Sequence, residues 1–130
     1  MAYLVDSDLI IDHLGNVTEA RNLLRSLIPE SAYMSVVTYM EAYQGTIRAP
    51  DTGRALDELN ALVEDVPVLI FDEAIAIRCA QLRDDLIRAG RRVNRRIWDL
   101  LIAATALEHD FILATRNVRD YRDIPGLLIL

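Results

Sequence analysis

Acidic residues placed where apolar runs begin or end are the part of this chain best suited to chemistry. Asp6 ends the first apolar run in YLVDSDLIID, and Glu41 follows a second run in SVVTYMEAYQG. Asp99 opens the apolar stretch WDLLIAATAL, while LATRNVRDY carries Asn117 and Asp120 behind a further run. If the runs belong to one sheet and its helices, these side chains meet at one edge.

Carboxylates gathered beside an apolar core need a compensating charge. Two of them about 4 Å apart repel by roughly 4 kcal/mol at an effective dielectric of about 20. Hard oxygen ligands suit Mg²⁺ or Mn²⁺. Cys79 is the only cysteine, and His13 and His109 stand alone in the sequence, so no zinc ligand set is present. The chemistry indicated is therefore that of a divalent-cation site.

Each acidic residue also has an ordinary structural role open to it. Asp99 could cap a helix by accepting backbone N–H bonds, and Glu41 could be a solvated helix residue. Asp6 lacks such a partner at the end of an apolar strand, which favours function there. Asp12 is expected to meet solvent.

The elements that would position these residues follow from hydrophobic periodicity. Predicted strands are 3–5, 33–36, 68–71, 111–114 and 127–129, and predicted helices are 8–14, 17–28, 37–48, 52–65, 72–89 and 97–108. Cys79 shares one helix face with Ile75, Leu82 and Leu86, which indicates a core residue. Gly90 is expected to cap that helix.

Strand–helix alternation predicts an α/β fold, with a mostly parallel sheet of four or five strands covered by helices on both faces. In such sheets the functional site lies beyond the carboxyl ends of the strands. The acidic residues named above sit at or near those ends in the predicted order.

Composition narrows the class of protein further. The 130 residues, 52% of them apolar, are enough for one domain, and the net charge of −6 argues against general coating of nucleic acid. There is no lysine, which excludes P-loop and Schiff-base chemistry. One cysteine, no signal peptide and no long apolar run predict a cytoplasmic protein without a membrane segment.

YLVDSDLIID, SVVTYMEAYQG and DLLIAATALEHDFILATRNVRDYRDIPGL together resemble the PIN-domain family, and specifically its VapC-type toxins. The resemblance spans nearly the whole chain, residues 1–130, as one PIN domain. It implies a three-layer α/β/α sandwich and a Mg²⁺- or Mn²⁺-dependent endoribonuclease. It also implies a VapB-type antitoxin as partner, with assembly as a homodimer, heterotetramer or hetero-octamer.

The resemblance assigns roles residue by residue. Asp6, Glu41 and Asp99 match the family's acidic metal ligands, and Asn117 falls where many members have a fourth aspartate. An amide carries no charge, so a second metal would be held more weakly, with Asp120 as partial compensation. Ser7 and Thr115 match small hydroxyl residues that bond to the acidic cluster, and Asp8 is expected to support the cluster from beside it. The implied reaction is metal-assisted phosphodiester hydrolysis without a side-chain nucleophile.

RAGRRVNRRIWD, just before Asp99, departs from the short Ile-Gly type stretch common in the family. Its positive charges suggest a phosphate-tracking edge for RNA. Helix-dipole and salt-bridge roles remain open for the same side chains, and Trp98 is expected to pack rather than stack on a base. The RNA-binding candidates are Arg91, Arg92, Arg95, Arg96 and Arg116.

Two other functions stay open at this point. One is an RNA-binding or partner-binding PIN domain with little or no nuclease activity, which the amide of Asn117 invites. The other is a phosphatase of the haloacid-dehalogenase type, with Asp6 as nucleophile and Asp8 as acid/base. Such phosphatases normally use a lysine, and this chain has none.

Overall fold

A computed structural model describes all residues 1–130 of the chain. Its strands are β1 (Tyr3–Val5), β2 (Ala32–Ser35), β3 (Val68–Leu69) and β4 (Ile112–Ala114). Its helices are α1 (Ser7–Leu14), α2 (Thr18–Leu27), α3 (Val36–Arg48), α4 (Thr52–Asp65), α5 (Glu73–Arg88) and α6 (Ile97–His109). Short 3₁₀ turns lie at Ile28–Glu30 and Val118–Asp120. No helix is both long and apolar enough to cross a bilayer.

The four strands form one parallel sheet in the order β3-β2-β1-β4. β1 is a central strand: Tyr3 pairs with Ala32 on one side and with Ile112 on the other. Because all strands run the same way, their carboxyl ends share one edge. The predicted parallel sheet is confirmed, and that edge is where Asp6 emerges.

Side chains that alternate along each strand supply two separate hydrophobic cores. Leu4 and Leu113 face a cluster shared with α5 and α6, whereas Val5 and Ala114 face a cluster shared with α1, α2 and α4. Helices therefore cover both faces of the sheet, in three layers. Cys79 lies in the first core, as its helical spacing predicted.

Short polar side chains start most of the helices. Ser35, Asp51 and Asp72 precede α3, α4 and α5, and each accepts a backbone N–H bond from the residue three positions on. α5 ends before Gly90, whose φ of +78° places it in the left-handed region that glycine enters without strain. The predicted capping role of Gly90 is consistent with this geometry.

The predicted fifth strand at 127–129 is wrong as a strand. Only an isolated parallel bridge joins Leu113 to Ile129. Leu113 donates its N–H to the Leu128 carbonyl at 2.8 Å and accepts from the Leu130 N–H at 2.9 Å. Gly126, with a φ of +77°, bends the chain just before this segment, so only a short piece reaches the sheet edge.

An ion pair ties the start of α6 to the loop after β4. The Arg96 guanidinium donates to both carboxylate oxygens of Asp123, at 2.7 and 2.9 Å, and to the Asp120 carbonyl at 3.2 Å. The Arg96 and Asp123 side chains are 21% and 16% exposed. Bidentate, largely buried pairs of this kind are among the stronger charge-assisted contacts.

Breaking this pair should cost measurable stability. Arg96→Gln is expected to lower the free energy of unfolding in urea by about 1–2 kcal/mol, because charge-assisted hydrogen bonds are removed. The control Arg88→Gln removes an exposed pair with Asp84, whose side chains are 79% and 58% exposed. That control should change stability by less than about 0.5 kcal/mol.

Acidification supplies a second check on the pair. The Arg96 hydrogen bond lowers the pKa of Asp123 below its ordinary 3.8. The stabilisation is therefore present above that pH and is lost as pH falls through the lowered value. The stability difference between Arg96→Gln and the parent should shrink in that acid range. A difference that does not shrink as the pH is lowered below 3.8 would contradict this role for Arg96.

Candidate metal centre

Asp6 occupies the carboxyl end of β1 and the N-terminus of α1, and it is only 4% exposed. Its Oδ1 accepts the Ser7 backbone N–H at 2.8 Å, and its Oδ2 accepts the Thr115 hydroxyl at 2.7 Å. Thr115 follows β4, the strand next to β1, so adjacent parallel strands bring the two residues together. The predicted partnership of Thr115 with the acidic cluster is present.

Tyr121 joins Asp6 to Asp99, and sequence reasoning missed it. Its hydroxyl lies 3.1 Å from Asp6 Oδ1 and 3.3 Å from Asp99 Oδ1. The residue is 1% exposed and its ring belongs to the core that covers the α5–α6 face. A tyrosine in a loop after a 3₁₀ turn reads as a packing residue, and nothing in its spacing signals the hydroxyl contact.

Glu41 reaches the site through hydroxyl groups. Ser7 Oγ donates to Glu41 Oε1 at 2.8 Å and lies 3.0 Å from Thr38 Oγ1. Thr38 Oγ1 in turn accepts from Ser35 at 3.4 Å. Ser7, Thr38 and Ser35 are all buried. This series of polar contacts therefore leads inward from Glu41 to Ser35, the cap residue of α3. Glu41 is partly buried and anchored, which argues against a purely solvated helix residue.

Asp99 lies in the first turn of α6 rather than at its cap. Arg96 is the cap residue and its side chain makes no capping bond, so the helix-cap interpretation of Asp99 is wrong. A carboxylate in a first turn is favoured by the helix dipole. Burial raises the pKa of Asp99, and the negative charges of Asp120 and Glu41 raise it further.

Burial dominates the electrostatics of Asp6. Loss of water around the carboxylate raises its pKa from 3.8 to about 6, with a smaller contribution from the negative charge of Asp8. Hydrogen bonds from Thr115, Ser7 and Tyr121 act in the opposite direction. An ionised Asp6 is therefore costly here, and a bound cation would offset that cost.

α1 anchors the loop after β4 with two further aspartates. Asp8 Oδ2 accepts the Arg116 backbone N–H at 3.2 Å, and Asp12 Oδ2 accepts from the Arg116 guanidinium at 2.7 Å. Asp8 thus supports the loop that carries Thr115 instead of touching Asp6 through a hydrogen bond. The expectation that Asp12 meets only solvent is wrong, since its partner lies on a distant segment.

Asn117 and Asp120 flank the three carboxylates without joining them directly. The Asn117 backbone N–H donates to Thr115 Oγ1 at 3.0 Å, and its side chain is exposed. Asp120 is exposed and acts on Asp99 through its charge. Their assignment as weaker metal ligands stays a prediction.

The arginines suggested for RNA contact differ in their surroundings. Arg91, Arg92 and Arg95 are exposed and none of them is in an ion pair, and Arg95 has a φ of +68°. Arg96 is held by Asp123 and Arg116 by Asp12. Trp98, expected to pack, is 51% exposed beside Asp99.

The carboxylate oxygens of Asp6, Glu41 and Asp99 are ligands of the kind that a hard divalent cation binds. Their side chains have to rotate before they can surround one cation. No three acidic, histidine or cysteine side chains already surround a common cation position. The Tyr121 hydroxyl stands between Asp6 and Asp99, and the Ser7 hydroxyl bonds to Glu41. Asp99 Oδ2 and Glu41 Oε2 accept no hydrogen bond, so both side chains have an oxygen to offer.

Comparison with known proteins places the fold in a class. The chain belongs to the PIN-domain family, whose family model matches residues 3–127. The phosphatase interpretation is therefore set aside, and the predicted three-layer α/β/α fold is confirmed.

Similarity extends to VapC-type members over most of the chain. Ribonuclease VapC10 of Mycobacterium tuberculosis is 38% identical over 118 residues, covering 88% of this chain and 82% of that protein. The tRNA(fMet)-specific endonuclease VapC of Shigella flexneri is 28% identical over 127 residues, covering 98% and 95%. DNA-bound VapBC from Salmonella typhimurium superposes with a TM-score of 0.87 at 26% identity, covering 100% of this chain and 97% of that one.

Removing the buried charge at position 6 should stabilise protein kept in EDTA. Between pH 3.8 and about 6 the folded state keeps a proton on Asp6 that the unfolded chain releases, so stability falls as pH rises through that window. Asp6→Asn is expected to raise the free energy of unfolding at pH 8 by up to about 3 kcal/mol.

The matched control is Asp57→Asn, an exposed carboxylate on α4. Urea unfolding of the three proteins at pH 4 and pH 8 measures the effect. The gain should be specific to Asp6 and smaller at pH 4. An Asp6→Asn protein that is less stable than the parent at pH 8 would contradict the assignment of Asp6 as a costly buried charge.

Proposed function

We propose that this protein is a Mg²⁺- or Mn²⁺-dependent endoribonuclease that acts as the toxin of a VapB-type toxin–antitoxin pair. One observation carries the proposal: at the carboxyl edge of the sheet the Tyr121 hydroxyl contacts both Asp6 and Asp99, and Ser7 bonds to both Asp6 and Glu41. The names of the VapC-type relatives, ribonuclease and endonuclease, support the reaction class.

Under this proposal the carboxylates hold the cation, and neighbouring residues hold the carboxylates in place. Asp6 is oriented by Ser7, Thr115 and Tyr121, and Glu41 by Ser7. When bound, Mg²⁺ or Mn²⁺ supplies Lewis-acid polarisation of a phosphate and activation of water. A carboxylate oxygen of Glu41 or Asp99 that is not bound to the cation would accept the proton of the attacking water. The site requires no side-chain nucleophile.

RNA would reach this site across the loop that follows β4. That loop encloses a depression of about 500 Å³ lined by Arg116, Asn117, Val118, Arg119, Asp120 and Arg122. Arg119 and Arg122 take part in no ion pair, so both guanidiniums can meet phosphates. The sequence interpretation included Arg116 and left out the other two arginines.

An antitoxin partner is supported by an apolar groove between α1, α3 and α4. The groove has a volume of about 230 Å³ and is lined mainly by small or apolar residues: Ile11, Leu14, Gly15, Ala42, Gly45, Thr46, Ala49, Ala55 and Glu58. Nothing lies within 4 Å of the position a side chain would take at Gly45. Such a surface suits an apolar segment of a partner, and the VapBC complex from Salmonella typhimurium is a structural relative.

Cleavage of RNA should depend on both the cation and the carboxylates. With purified protein and total cellular RNA, Mn²⁺ or Mg²⁺ should support cleavage and EDTA should abolish it. Asp99→Asn and Glu41→Gln should each lose roughly 100-fold or more in rate, because several kcal/mol of charge stabilisation depends on the cation. Asp57→Asn is the control and should cleave normally.

The alternative function, binding without cleavage, predicts a different result. If the protein binds RNA or its partner but leaves RNA uncut with either metal, the nuclease assignment fails. Cleavage that persists unchanged in EDTA or in Asp99→Asn would contradict the metal site instead.

The depression makes a quantitative prediction for RNA binding. Arg119→Gln with Arg122→Gln should weaken binding of a labelled single-stranded RNA. The same pair of substitutions should also make the plot of log affinity against log salt concentration less steep. Its slope should fall by about 0.7 for each phosphate that is no longer neutralised. Fluorescence anisotropy in an Asp99→Asn background avoids cleavage during the measurement.

The control for this experiment is Arg25→Gln. Arg25 is an exposed arginine in the last turn of α2, the helix that comes before the start of β2. An equal loss of affinity and slope in this control would show that total charge, not the depression, governs RNA binding.

A further inference from the structure

The hydroxyl of Tyr121 is the only side-chain group that contacts two of the three proposed metal ligands. It lies 3.1 Å from Asp6 Oδ1 and 3.3 Å from Asp99 Oδ1. The ring is 1% exposed and packs in the core with Leu100 and Leu113, so the hydroxyl has little freedom to move. The chain on either side is also held, since Arg96 binds the Asp120 carbonyl and Asp123.

The Tyr121 hydroxyl occupies one of the hydrogen-bond acceptor positions of the Asp6 carboxylate. Each carboxylate oxygen accepts about two hydrogen bonds. Oδ1 of Asp6 already accepts from the Ser7 N–H and from Tyr121, while Oδ2 accepts only from Thr115. Asp6 therefore has one open acceptor position, on Oδ2. Tyr121 thus fixes which oxygen Asp6 can present.

The same hydroxyl also separates the two acidic groups. Asp6 follows β1 and Asp99 lies in α6, so no local backbone geometry sets the distance between their carboxylates. The single proton of the hydroxyl is donated to one of the two Oδ1 atoms at a time, while the phenol oxygen lies between them and keeps them from closer approach. It leaves Asp99 Oδ2 without a hydrogen bond.

We propose that Tyr121 is a positioning residue that sets the spacing of Asp6 and Asp99 and leaves their Oδ2 atoms available to a divalent cation. This inference rests on the proposed function. Tyr121→Phe keeps the packing of the ring and removes the hydroxyl that sets the spacing, so it isolates the role of the hydroxyl.

Mn²⁺ affinity measured by calorimetric titration tests the inference with a readout other than activity. Tyr121→Phe should bind Mn²⁺ about 10–100-fold more weakly than the parent, as expected when a group that orients a ligand is removed. The control is Tyr33→Phe, a partly buried tyrosine that packs against the same core and stacks on Phe111. That control should match the parent within twofold.

Cleavage of RNA at increasing Mn²⁺ separates positioning from a purely structural role. Tyr121→Phe should need about 10–100-fold more Mn²⁺ for half-maximal rate and should approach the parent rate at saturation. A rate that stays low at saturating Mn²⁺ would overturn the inference, as would an unchanged affinity. If the parent itself binds no Mn²⁺, the proposed function fails as well, which distinguishes the two failures.

A measurement on the parent protein covers the case in which Tyr121→Phe does not fold. Mg²⁺ added to the parent should perturb its near-ultraviolet tyrosine absorption, because the hydroxyl lies between two ligands. The same difference spectrum should persist in Tyr33→Phe. A parent protein that binds Mg²⁺ with no change in tyrosine absorption would overturn the assignment.

Discussion

The rest of the site depends on the cost of holding carboxylates together in a poorly hydrated place. Asp6 is 4% exposed, and burial raises its pKa to about 6. Asp99 shows the same direction of shift, with the charges of Asp120 and Glu41 adding to the effect of burial. Hydroxyl donors from Ser7, Thr115 and Tyr121 reduce this cost, and a divalent cation would reduce it further.

The fold meets that constraint with segments that are distant in sequence. The central strand β1 delivers Asp6, its neighbour β4 delivers Thr115, and α6 delivers Asp99. Ion pairs then fix the loop after β4 from both sides: Asp12 holds Arg116, and Asp123 is held by Arg96. Arginines that look like a simple basic edge in the sequence are thus divided between structural pairs and free side chains.

Sequence patterns predicted most of the architecture, because apolar runs that alternate between strand and helix lengths leave few parallel α/β arrangements. The assignments of Asp6, Glu41 and Asp99 rested on their places at strand and helix ends together with a family resemblance. Long-range contacts could not be predicted from sequence patterns. The partner of Asp12 lies on the loop after β4, and the spacing of Tyr121 gave no indication that its hydroxyl contacts Asp6. The segment 127–129 has strand composition, but a bend at Gly126 limits it to one bridge.

The central claim is that these carboxylates hold a divalent cation. Crystals of the protein grown with Mn²⁺ and measured for anomalous scattering test it directly. A peak is expected about 2.1 Å from oxygens of both Asp6 and Asp99, within reach of Glu41, and it should disappear in crystals of Asp99→Asn. A parent crystal in saturating Mn²⁺ with no peak at this edge of the sheet, or with the peak bound only elsewhere, would contradict it.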